Sequence, residues 1–193
     1  QEAVATPVAG AQAWRIAYIT SDVGGRKVVA TGLVVAPAGA PPANGRPVVA
    51  WAHGTTGTAQ NCGPSQVLSP AQELNEYFLL NGDSWTDYGM PGVETFIKEG
   101  YVVVATDYQG LGGGGKHQYA VAGTQARDVL DSIRATASLK DSGAGKRAIV
   151  YGWSQGGGAA IALASLYDYV GLKGTAADGV EGTSTRGNHG RVE

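Results

Sequence analysis

Ala148-Ile149-Val150-Tyr151-Gly152-Trp153-Ser154-Gln155-Gly156-Gly157-Gly158-Ala159-Ala160 is the stretch that decides the fold of this chain. Residues 148–151 form a short apolar run without alternation, as expected of a strand buried on both faces. The run leads through Gly-x-Ser-x-Gly into small residues that open a helix reaching Tyr169. Such a turn sets its serine at a sharp corner, with the hydroxyl projecting above the sheet edge. Glycines at 152 and 156 keep side chains from colliding with the neighbouring strand and helix. The helix start offers the backbone N–H of Gln155 and a dipole that favours developing negative charge. The plainer reading is a glycine-rich turn with an incidental serine. The strand–turn–helix context favours a nucleophile elbow with Ser154 at its apex.

Upstream of this unit, strands and helices alternate. Residues 101–105 (Tyr-Val-Val-Val-Ala) and 48–52 (Val-Val-Ala-Trp-Ala) read as two more buried strands, and 93–98 as a short helix. Ala122, Ala126, Val129, Leu130, Ile133 and Ala137 recur at helical spacing and predict one apolar helix face. Near the N-terminus, residues 13–19 and 27–35 flank Gly24-Gly25 and predict a β-hairpin, followed by a surface loop over 37–47. The long Gly/Asn/Ser/Thr-rich connection at 54–90 carries one expected helix around Gln72 to Leu80. A last strand is expected at Leu172 to Ala176 and a mobile polar tail from Asp178. Right-handed crossovers between such units give a mostly parallel sheet with helices on both faces, an α/β class. The domain division is one core over 1–177 and a tail over 178–193.

Composition narrows the function classes. The 193 residues carry 14 Lys+Arg and 16 Asp+Glu, a formal charge of -2, and no cationic cluster that would suit nucleic acid. At 43% hydrophobic and 16% charged, the chain is neither disordered nor coiled coil. No apolar run is long enough to span a bilayer. Glycine, 31 of 193 or about 16% against a usual ~7%, sits between apolar runs where tight turns belong. Cys62 is the only cysteine, so no intrachain disulfide forms. His53, His117 and His189 lack the spacing of a metal motif, and no metal or cofactor is expected. Gln1 opens the chain without Met, which reads as a processed N-terminus, and the low charge with high Ala/Gly/Thr content fits an exported protein.

Two loops join the elbow as candidates. His53-Gly54-Thr55 follows the strand at 48–52, on the side where a loop can support an oxyanion hole. His53, Gly54, Thr55 and Trp153 are the candidate substrate-binding residues, and for His53 itself the structural hydrogen-bonding role is the favoured reading. Asp107 lies at the carboxyl end of the strand 101–105, where open α/β sheets bind ligands. It could equally be a cap or turn former. Gly110, Gly112 and Gly115 match the dinucleotide spacing G-x-G-x-x-G, but Asp107, Tyr108 and Gln109 separate the strand from the first glycine. Lys116-His117-Gln118-Tyr119 follows instead of an apolar helix start, so the match is weak.

Taken together, Val48 to Gly57 with Asn61-Cys62-Gly63-Pro64-Ser65, Gly100 to Gly112, and Tyr151 to Ala160 resemble the secretory lipase family, the lipase A-like branch of the α/β-hydrolases. The resemblance runs from about Val28 to Thr175. It implies cofactor-free hydrolysis of carboxylic esters and acylglycerols by secreted enzymes. It also implies that Asp107, protonated in a dry pocket, donates into the oxyanion hole with the N–H of Gln155. Members of the family are longer and continue with a cap, two more strands, an acid and a histidine that are not recognisable here. After Ser154 the acid or base candidates are Asp168, Asp178, Glu181, His189 and Glu193, and Asp178 with His189 gives the order Ser–Asp–His. The alternative is that both belong to a tail without a catalytic role.

The expectation is therefore a shortened α/β-hydrolase acting as a serine carboxylesterase on short-chain or soluble esters. Its rival is a catalytically impaired scaffold that serves as a binding or interaction protein. A homo-oligomer that covers an exposed sheet edge, or supplies a missing histidine, is a third possibility.

Overall fold

The computed structural model describes residues 1–74, 88–169, 180–184 and 189–191. The hairpin forms as the composition predicts. Strand β2 (Ala11–Ser21) pairs antiparallel with β3 (Lys27–Pro37), and Ser21 faces Lys27 at the tip. The turn is organised by Asp22, whose Oδ1 accepts the backbone N–H of Gly24 (2.9 Å) and of Arg26 (3.0 Å). Gly25 supplies the left-handed step, φ 77°, that a side chain would disfavour. A three-residue strand, β1 (Glu2–Val4), adds to the outer edge of β2.

The chain then enters the centre of the sheet. Strands β4 (Arg46–Ala52), β5 (Val102–Thr106) and β6 (Ala144–Gly152) are parallel, with β4 between the other two. Across the described residues the order is β1-β2-β3-β5-β4-β6-β7-β8, with β7 (Val180–Ser184) parallel to β6 and β8 (His189–Arg191) antiparallel to β7. The sheet is thus mixed rather than mostly parallel. Its centre is parallel because each central strand is reached by a crossover, whereas β1, β2 and β3 on one side and β8 on the other pair antiparallel.

Alternation along the strands builds two apolar layers. Val48, Ala50, Val102 and Val104 face helices α2 (Ala122–Ser138) and α3 (Gln155–Tyr169), packing with Val129, Leu130, Ile133 and Leu163. Val49, Trp51, Val103 and Ala105 face the other way, onto Met90 and onto Val93 and Ile97 of α1 (Val93–Lys98). Helices therefore cover both faces, as expected. Burial of each such Val or Ile contributes roughly 1.5–3 kcal/mol.

Two expectations change. Residues 72–74 are not helical: Glu73 forms a bridge with Met90, and its carboxylate accepts the N–H groups of Gly92 and Glu94 at the start of α1. The rest of the helix expected around Gln72 to Leu80 lies outside the described residues, as does the strand expected at Leu172 to Ala176. The tail expected over 178–193 instead supplies β7 and β8. Main-chain pairing to the open edge of β6 and then of β7 overrides a composition of Gly, Thr and Ser.

Candidate functional site

The corner after β6 has the geometry of an elbow. Ser154 is exposed and adopts φ 53°, a left-handed conformation rare for a residue with a side chain. The surroundings enforce it. A Cβ on Gly156 would overlap the carbonyl oxygen of Ala52 at the end of β4, and one on Gly152 would overlap that of Gly156. Hydrogen bonds from Trp153 N–H to Ala52 O (3.3 Å) and from Gly156 N–H to Trp153 O (2.8 Å) close the turn. Gln155 is the first residue of α3, so its N–H has no acceptor inside the helix.

The loop after β4 passes directly beside this corner. Gly54 packs on Trp153, and a Cβ there would come within 2.8 Å of the indole Cδ1. Thr55 is exposed and its hydroxyl meets the Tyr119 hydroxyl at 3.0 Å. The side chain of His53 is fully enclosed. Its Nδ1 faces the Gly54 carbonyl at 2.6 Å, its ring lies 4.5 Å from that of Tyr108, and the Tyr108 hydroxyl donates to its backbone oxygen. Nε2 has no partner among the described residues, and burial lowers its affinity for a proton. His53 is a neutral anchor beneath the loop, in keeping with the structural role favoured from the sequence.

Asp107 is also completely buried. Its Oδ1 accepts the Ser65 N–H (2.7 Å), and its Oδ2 accepts the hydroxyls of Ser65 (2.5 Å) and Thr31 (2.6 Å) and the Gln66 amide (3.1 Å). The carboxylate therefore fastens the short 3-10 turn at Pro64–Gln66 to the end of β5. In these contacts it accepts and does not donate. Gly63 and Gly112 let the backbone close over it, since a Cβ at either would run into its side chain. Gly110 has a similar reason, contact with the backbone of Lys116 and His117. Two glycines of the apparent dinucleotide spacing are thus explained by packing around Asp107 and His117.

Sequence reasoning gave His117 no role, yet the structure brings it to the elbow. Its Nδ1 faces the Gln109 carbonyl at 3.0 Å and its Nε2 faces the Gln155 side-chain nitrogen at 3.0 Å. Beneath it, Gln109 is held by the buried carboxylate of Asp128 on α2 through its N–H (3.0 Å) and its amide (3.1 Å). Burial pushes the Asp128 pKa up to about 7. The only hint in the sequence was the return of a histidine ten positions after Asp107.

Of the expected acid and base, Asp178 lies outside the described residues. His189 lies on β8, for which only the backbone is described. In the register, Tyr151 of β6 pairs with Thr183 of β7, and Thr183 pairs with His189. That puts His189 level with the end of the elbow strand, two strands away, or roughly 10 Å at the usual ~4.8 Å spacing.

The geometry agrees with known proteins. The rice cell wall degrading esterase LipA from Xanthomonas oryzae is 25% identical and superposes with a TM-score of 0.60 over 84% of this chain and 39% of its own. Lipase A of Candida antarctica in its closed state, 19% identical, superposes at 0.69 over 95% of this chain and 40% of its own, a likeness of fold. The chain spans about two fifths of the length of these structures. No curated protein matches the sequence. The description of secretory lipases matches residues 82–181, just over half of the chain, including the elbow, Asp107 and His117. A left-handed serine between β6 and α3, set in an α/β-hydrolase sheet and lying within that match, places this chain in the secretory lipase family.

Proposed function

We propose that Ser154 is the nucleophile of a carboxylic ester hydrolase. The observation that carries this reading is the strained, exposed serine, locked by two glycines that the close approach of Ala52 O and of α3 makes obligatory. Ser154 Oγ adds to the ester carbonyl carbon while its proton passes to an imidazole. The tetrahedral oxyanion is met by the Gln155 N–H. On collapse the bond to the alcohol breaks and the alcohol takes the proton, leaving an acyl-enzyme that water opens by the same steps in reverse. His189, oriented by Asp178, is the proposed base, supported by the order Ser–Asp–His and by the level of His189 in the sheet. Asp107 is proposed to act at the oxyanion side of the site. Its side chain also holds the turn at Pro64–Gln66, so the two roles share one residue.

Short-chain or soluble esters are the proposed substrates, and the family description supports a secreted protein that acts on small molecules. Among the described residues no helix is long and apolar enough to cross a membrane. The test is a fluorophosphonate probe with hydrolysis of p-nitrophenyl acetate. Labelling at Ser154 and its loss in Ser154→Ala, with circular dichroism unchanged, is the expected result. Retention of more than a tenth of the hydrolysis in Ser154→Ala removes the serine from this role.

A further inference from the structure

His117 touches the side chain of Gln155, the residue after Ser154, and has no part in the mechanism above. Its position is constructed. After β5 the chain turns through Tyr108 (φ 63°) and Gly110 (φ 85°) and doubles back so closely that only glycine fits at 110. Gln60 clamps the returning loop, donating to the carbonyls of Gly110 (2.7 Å) and Gly115 (3.1 Å) and accepting from Gly114 N–H (3.1 Å).

The partners fix the imidazole's tautomer. A carbonyl can only accept, so the proton sits on Nδ1, toward Gln109, and Nε2 presents a lone pair to the Gln155 amide. Gln109 is itself fixed to Asp128 by two hydrogen bonds. A continuous series thus runs from a buried carboxyl on α2, through Gln109 and His117, to the first residue of α3. Gln155 needs that restraint. Its N–H is the oxyanion donor in the reading above, and its long amide side chain, left unheld, would sweep the space above Ser154.

We propose that His117 is a positioning residue of the ester-cleaving site: by accepting a hydrogen bond from the Gln155 amide it holds that residue still and keeps its side chain clear of the oxyanion. The role rests on the reading of Ser154 as nucleophile. A donor aimed at the oxyanion acts only in the transition state, so loosening it lowers kcat and leaves KM nearly unchanged.

The experiment uses the full chain with His117→Ala, His117→Gln and His117→Asn. It follows the rate of fluorophosphonate labelling of Ser154, kcat and KM for p-nitrophenyl acetate, and the 15N shifts of the His117 ring. In the wild type the shifts should show one Nδ1–H tautomer. His117→Ala should label and turn over about tenfold more slowly, with KM within about twofold. Gln can place an acceptor where Nε2 stood and should recover most of the rate. Asn can keep the Gln109 contact but cannot reach Gln155, and should stay slow. Wild-type labelling rates in His117→Ala, or equal rescue by Asn and Gln, overturn the proposal. So does a mixture of tautomers in the wild type, whatever the activity. If wild type does not label while the tautomer is as expected, the nucleophile reading is what has failed, and the positioning role falls with it.

Discussion

Replacing Asp128 by Asn should reshape the dependence of stability on pH. Asp128 is fully buried on α2, and its pKa rises from an ordinary 3.8 to about 7 because burial penalises the charged form. A raised carboxyl binds its proton more tightly in the native state than in the unfolded chain. The resulting stability is complete below about pH 4 and is lost as pH climbs through 7. The gap between 3.8 and about 7, at about 1.4 kcal/mol per pH unit, sets a ceiling of about 4 kcal/mol on the wild-type loss. Asn does not titrate. Its oxygen can still accept the Gln109 N–H, but its NH2 would face the Gln109 amide, at a pH-independent cost of about 1 kcal/mol. Asp128→Asn should therefore be slightly less stable than wild type at pH 4 and more stable at pH 8, by up to about 3 kcal/mol. Urea unfolding of both proteins at four values between pH 4 and 8 measures this, because other titrating groups cancel in the difference. Parallel stability profiles would refute the account of Asp128 as a carboxyl kept protonated by burial.

Other substitutions address the site more directly. Gly156→Ala should lower stability by more than about 2 kcal/mol and abolish probe labelling, since the new methyl overlaps the Ala52 carbonyl; an unchanged melting temperature would contradict the elbow packing. Asp107→Ala should destabilise by about 2–4 kcal/mol, because donors from Ser65, Thr31 and Gln66 lose their acceptor. Asp107→Asn separates the roles: if Asp107 donates to the oxyanion, Asn retains turnover while Ala loses about 10² to 10³, whereas pure anchoring makes rate losses track stability losses. His189→Ala should be as damaging to hydrolysis as Ser154→Ala, and Asp178→Asn should weaken it by misorienting the ring. Full activity in His189→Ala would send the search for the base elsewhere.

What the amino-acid order disclosed was whatever depends on neighbours in the chain. The sharp turn at Ser154 is such a feature, for strand, glycine, serine, glycine and helix follow one another within a few residues. The hairpin at Gly24-Gly25 and the paired layers of the central strands were legible for the same reason. Asp107 was recognisable as a site candidate from its place at a strand end. Its partners were not, because Thr31, Ser65 and Gln66 come from distant parts of the chain. His117 was missed for a related cause: nothing local says that a glycine loop will fold back onto the residue after Ser154. The two C-terminal strands were hidden because a five-residue segment such as Val180–Ser184 has too few apolar positions to show alternation, and its pairing comes from the edge of β6.

The contact between Ala52 and the elbow also has a kinetic consequence. Ser154 holds its left-handed conformation only when the end of β4 lies in register with the end of β6, Ala52 opposite Gly152. These segments are far apart in the chain and their pairing is parallel, a combination that closes slowly because a long loop must be ordered before any contact rewards it. The hairpin of β2 and β3 can assemble long before that. During refolding, reactivity of Ser154 should accordingly lag behind the gain of secondary structure and arrive with the last cooperative step. The turn at Ser154 thus marks completed folding, and a chain stalled with its hairpin formed would lack that turn until its centre closed.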